Sequence, residues 1–125
     1  MTVALRGVRG ATSVPANDES AIIESTRLMI SAAMETNGIR AGEIAAILFT
    51  VTSDLDRAFP ARAARELGLG SVPLLDFVSP QVPGDLPRLV RMLLLWNTDL
   101  EQDHIQHVYL GEARSLRPDL AGPGQ

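Results

Sequence analysis

Two periodicities divide this chain into helices and strands. Ile22, Thr26, Met29, Ile30 and Ala33 fall on one stripe at the 3.6-residue period. They predict a helix that Asn17 or Asp18 caps and that runs to about Thr36. Asn37-Gly38 ends it, with Gly38 suited to the left-handed position after the last turn. Val3 to Gly10 instead alternates, with Val3, Leu5, Gly7 and Arg9 on one face and Ala4, Arg6 and Val8 on the other. That is a strand, and Gly10 to Pro15 reads as the turn or loop after it. Ala45 to Thr52 is almost unbroken in its apolar character and predicts a buried strand. A polar loop follows from Thr52 to Asp56. Phe59-Pro60 opens a short helix that Gly68 closes. Val72 to Phe77 and Ile105 to Glu112 predict two more strands, and Ser79 to Asp85, with Pro80, Pro83 and Gly84, a loop. Arg88 to Asn97 fits a strand or a helix. The order predicts an α+β (mixed α/β) fold, with one domain over residues 1–120 and a flexible tail over 121–125.

Composition narrows the chemistry. Hydrophobic residues are 46% and aromatic residues 4% of the 125, so the core is aliphatic. A chain this small and apolar is expected to bury surface against copies of itself. The formal charge of −4 argues against nucleic acid, which calls for a basic face. The chain has no cysteine, and all eleven of its basic residues are arginine. Thiolate nucleophiles, cysteine-held metals and Schiff-base chemistry are therefore excluded. No apolar run is long enough to span a membrane, and nothing resembles a signal peptide, so a cytoplasmic protein is expected. His104 and His107 lie three apart with no metal-binding motif around them, and read as exposed or hydrogen-bonded side chains.

Arginine is where the chemistry concentrates. Arg91 sits within Leu89-Val-Arg-Met-Leu-Leu-Leu-Trp96, where either face is apolar. A guanidinium there needs an internal carboxylate or an anionic ligand, because an unpaired buried charge costs several kcal/mol or more. Arg9, next to Gly10, makes the same demand. Two strand-borne guanidinium planes suit a dicarboxylate or a phosphate. Arg65 and Arg117 are candidates to join them.

Several motifs occur in a fixed order: Arg6-Gly-Val-Arg-Gly-Ala-Thr12, Phe59-Pro-Ala-Arg-Ala-Ala-Arg-Glu-Leu67, Val72-Pro73, Val82-Pro-Gly-Asp-Leu-Pro-Arg-Leu-Val-Arg91, Asn97-Thr98, His107-Val-Tyr-Leu110 and Leu116-Arg-Pro-Asp-Leu120. Together they resemble the monofunctional, trimeric AroH-type chorismate mutases, from residue 3 to about 120. The resemblance implies a pseudo-α/β-barrel homotrimer with sites between subunits, each chain a mixed sheet with two main helices. It makes Arg88 to Asn97 a strand. It implies the Claisen rearrangement of chorismate to prephenate, a shikimate-pathway step toward aromatic amino acids, with no cofactor and no metal. Arg91 resembles the arginine facing the ether oxygen and a carboxylate, and Arg9 a second carboxylate-binding arginine. Tyr109 resembles the tyrosine near the substrate carboxylates. Phe59 and Arg65 resemble residues lent by a neighbouring subunit, and Leu116 and Arg117 a segment closing over the site.

One stretch departs from the family. After Val72-Pro73 the family has a cysteine and, three residues on, a glutamate that orients the substrate hydroxyl; here those positions hold Asp76 and Ser79. Three accounts are open. Asp76 replaces the glutamate; or the substrate is another chorismate-derived acid, such as 4-amino-4-deoxychorismate, whose ammonium Asp76 would pair; or the trimer binds without catalysing. Asp76 is also a candidate to neutralise Arg91 or Arg9 in the empty site.

Overall fold

The structure is a computed structural model that describes residues 2–119, so the tail expected at 121–125 lies outside the described residues. Five strands and two α-helices follow one another as β1 (Ala4–Ser13), α1 (Glu19–Asn37), β2 (Ile44–Val51), α2 (Ala61–Glu66), β3 (Leu74–Val78), β4 (Leu89–Thr98) and β5 (Val108–Leu110). The strands form one mixed sheet in the order β3-β2-β4-β1-β5. β4 is central and antiparallel to both neighbours, while the outer pairs β2–β3 and β1–β5 are parallel. Arg88 to Asn97, undecided by its pattern, is therefore the strand that the family resemblance implied.

The α1 stripe behaves as its spacing requires. The Asp18 carboxylate accepts the Ala21 N–H at 2.7 Å, and Gly38 closes the helix with φ +71°. Ile22, Thr26, Met29, Ile30 and Ala33 are buried. They join a core with Val8, Ile47, Phe49, Met92, Leu94 and Trp96 from one face of the sheet. Gly10 allows the close approach. A Cβ there would lie 2.7 Å from Met92 Cε and 3.2 Å from Met29 Cγ.

Two strands depart furthest from the pattern, and β3 starts at Leu74, after Pro73, and not at Val72. β1 does not stop at Gly10 but runs to Ser13, because Ala11, Thr12 and Ser13 keep pairing with Arg91, Val90 and Leu89 of β4. A run of small residues hides that pairing in the sequence. The last strand is three residues instead of eight. A 3₁₀ turn holds Gln102–His104, and Gly111, at φ +59°, ends β5 and begins a second 3₁₀ turn (Gly111–Ser115).

The opposite face of the sheet is open. Leu5 is 52%, Leu93 42% and Leu75 58% exposed. That is a large apolar surface for a chain on its own.

Inside the core the Thr26 hydroxyl is buried and has no hydrogen-bond partner among the described residues. Thr26→Val exchanges that unsatisfied hydroxyl for a methyl of similar shape. It should raise stability by about 1 kcal/mol, read as a higher denaturant midpoint at unchanged slope.

Candidate active site

The register of β4 puts Arg91 and Arg9 on the open face. Arg9 faces Leu93 and Ala11 faces Arg91, so the two arginines are diagonal neighbours. Tyr109 of β5 pairs with Ala11 from the other side. These residues line a cavity of about 280 Å³ together with Leu116 and Arg117. Its floor is a small apolar cluster in which Leu86 and Leu116 pack on Ala11, Leu89, Tyr109 and Ala113. Burial raises the Tyr109 hydroxyl's pKa above its ordinary value, against a smaller lowering by Arg9, so it stays protonated and able to donate. Arg117 is held by Asp119, Nε to Oδ1 at 3.2 Å and Nη2 to Oδ2 at 3.0 Å.

Two supports of this cluster were not assigned to the site by the sequence. The first is Asp85, whose carboxylate oxygens both lie 3.4 Å from Arg91 Nη2. The second is His107. Its Nδ1 accepts the Arg9 N–H at 2.9 Å, which puts the neutral ring's proton on Nε2. His104 is exposed. The demand that Arg91 makes for a carboxylate was legible. Which loop residue meets it was not, because no spacing rule links Asp85 to Arg91.

The remaining predicted residues gather elsewhere. Asp76 pairs in register with Phe49, so it lies on the α1 side of the sheet, away from the arginine face. Its Oδ1 accepts the Ala61 N–H at 3.0 Å, which caps α2, since Pro60 at the N-cap has no side-chain acceptor. Burial raises the Asp76 pKa, and the Ala61 N–H and Arg65 partly offset this. Asp76 therefore does not neutralise Arg91 or Arg9 within the chain; Asp85 is the carboxylate on Arg91. Ser79 is buried and donates its hydroxyl to the Val51 carbonyl at 3.1 Å, so it does not face the arginine cavity. Phe59, 69% exposed, lines a second cavity of about 520 Å³ with Arg57, Asp76, Phe77 and Val78 at the β3 edge. Arg65 is exposed on α2. Within one chain, then, the predicted residues form two groups, one at the β1–β5 side and one at the β3 side.

The family model for chorismate mutase type I matches residues 5–120. The chain belongs to that family. It is 52% identical over 117 residues to the chorismate mutase AroH of Thermus thermophilus, covering 93% of this chain and 96% of that protein. It is 37% identical over 118 residues to chorismate mutase AroH of Bacillus subtilis, covering 94% and 93%. Among solved structures, a chorismate mutase from Clostridium thermocellum superposes with a TM-score of 0.86 at 40% identity, over 87% of this chain and 97% of that one. The mixed five-stranded sheet is thus the type I chorismate mutase fold, and the arginine cavity and the Phe59 cavity are its two candidate site regions.

His107 makes the arginine cluster of this family member pH-sensitive. Burial, then the positive charges of Arg9 and Arg117, lower its pKa. As pH falls, the unfolded chain takes up the imidazole proton first, near the ordinary value of about 6.5. The stabilisation is therefore complete above about pH 6.5 and is lost as pH falls toward the folded value. Urea midpoints should drop between about pH 7 and about pH 5. The drop should be smaller in His107→Asn, which keeps an acceptor for Arg9 N–H without the titration.

Proposed function

We propose that this chain catalyses the Claisen rearrangement of chorismate to prephenate, as an isomerase without a cofactor. Family membership carries the assignment, and the paired guanidinium groups of Arg9 and Arg91 beside Tyr109 supply the chemistry. In the reaction the ether C–O bond breaks while a C–C bond forms between the enolpyruvyl carbon and the ring. The electron pairs move in one closed cycle, so no proton, hydride or external nucleophile enters. The work left to the protein is to hold the folded-up conformer and to place positive charge where the ether oxygen gains negative charge. Arg91 is the residue for the ether oxygen and one carboxylate, and Arg9 binds the second carboxylate. Tyr109, Leu116 and Arg117 wall the same cavity.

The working form is a homotrimer with a pseudo-α/β-barrel core, built from residues 1–120 and acting in the cytoplasm. Two observations support the assembly. The open sheet face carries Leu5, Leu75, Phe77 and Leu93, and a site made from two groups is incomplete in one chain. Phe59, Arg65 and Asp76 of one subunit would complete the arginine cavity of the next. Asp76, at the family's cysteine position, belongs to this reading as a substrate-side residue, whereas Ser79, at the glutamate position, keeps its hydroxyl on the Val51 carbonyl and does not. Among the described residues no helix is long and apolar enough to cross a membrane.

Purified protein should convert chorismate to prephenate, followed by substrate loss with the product identified. Arg91→Ala should lower turnover about 10²–10³-fold or more, the scale of one electrostatic donor. Near-normal turnover in that variant would refute the mechanism. Sedimentation should give three chain masses, and a monomer with full activity would refute the shared site.

A further inference from the structure

Arg91 needs an anion beside it, and the position that carries a glutamate in the family holds Ser79. Ser79 is turned away, its hydroxyl committed to the Val51 carbonyl. Asp85 stands in the gap. Both its oxygens are 3.4 Å from one nitrogen, Arg91 Nη2, and its side chain is 25% exposed against 35% for Arg91. The loop before β4 fixes its place. Asp85 N–H donates to the Val82 carbonyl at 3.1 Å, and Asp85 Oδ1 accepts the Leu86 N–H at 2.9 Å. Leu86 in turn packs on the apolar floor of the arginine cavity. At the loop's far end Arg88 N–H donates to both Asp54 oxygens, at 3.2 and 3.0 Å, and Arg88 Nε to the Val14 carbonyl at 3.0 Å.

We propose that Asp85 is the positioning residue for Arg91: it holds the Nη2 end of the guanidinium from the loop side and leaves the Nε and Nη1 donors for the substrate. An arginine side chain has many rotamers, and a carboxylate held by its own turn removes much of that freedom before substrate arrives. Two 3.4 Å contacts are long for charged hydrogen bonds. The guanidinium is thus steered without being fully neutralised, and keeps charge for the ether oxygen. The carboxylate lost at Ser79 is in this way replaced from the loop six residues on.

This inference rests on the mutase reading for its kinetic test and on the ligand-free protein for its structural one. Asp85→Asn keeps an acceptor for the Leu86 N–H and removes the charge. It should lower kcat about tenfold, or about 1.4 kcal/mol in the barrier, with KM changed less than about threefold. In an Arg91→Ala background the same change should have little further effect, since the two act as a unit. Nitrogen NMR of the ligand-free wild type, with Arg91 assigned by its absence in Arg91→Ala, should show slowed guanidinium rotation. Asp85→Asn should release it. An unchanged kcat, a lower KM with unchanged kcat, or free rotation already in the wild type would each overturn the proposal. If the wild type does not turn over chorismate, the mutase reading fails while the NMR comparison still decides the contact. Should Asp85→Asn fail to fold, Asp85→Ser supplies a neutral acceptor for the same turn and the same measurements.

Discussion

A guanidinium on the central strand of an apolar sheet face cannot be left alone. β4 is hydrogen-bonded on both sides, so the Arg91 backbone has no freedom to carry its charge elsewhere. Its strand neighbours on that face are Leu89, Leu93 and Leu95. The charge has to be met where it stands, and within the chain Asp85 meets it. Arg9 lies exposed on the same face, where β1 fixes it diagonally across from Arg91 and His107 holds its backbone N–H. Two guanidinium groups on one surface are the kind of arrangement that suits a dicarboxylate.

The two faces of the sheet divide the labour. Val8, Gly10, Met92, Leu94 and Phe49 close on α1 and supply the buried apolar area that holds the chain folded. The other face keeps leucines in the open and the arginines among them. Alternation along a strand enforces this division, since a shift of one residue would exchange the faces and bury the guanidinium groups against α1. Asp76 shows the same rule from the other side. One strand position decides that it caps α2 and does not meet the arginines.

Much of the fold could be read from the sequence. The α1 stripe, its Asp18 cap and its Gly38 terminus all have local causes, and the structure realises them residue for residue. The end of β1 and the shortness of β5 have none. Ala11-Thr12-Ser13 is a strand because Arg91, Val90 and Leu89 lie opposite it, and β5 stops because Gly111 turns the chain. Of the site, Arg91 and Arg9 were legible as charges in apolar strands, which is a conflict visible in one dimension. Family motifs added Tyr109, Phe59, Arg65, Leu116 and Arg117, although spacing could not say which of them share a cavity.

Residue order alone established the helix and strand periods, the lack of cysteine and lysine chemistry, and the placing of two arginines within apolar strands. Those are properties of residue type and local order. It took packing in three dimensions to pair Asp85 with the Arg91 guanidinium, set His107 on the Arg9 backbone N–H, turn Ser79 inward and put Asp76 at a helix end. Each of these depends on register between strands or on the path of a loop. Both are set by packing between segments far apart in the chain, where no local pattern reaches.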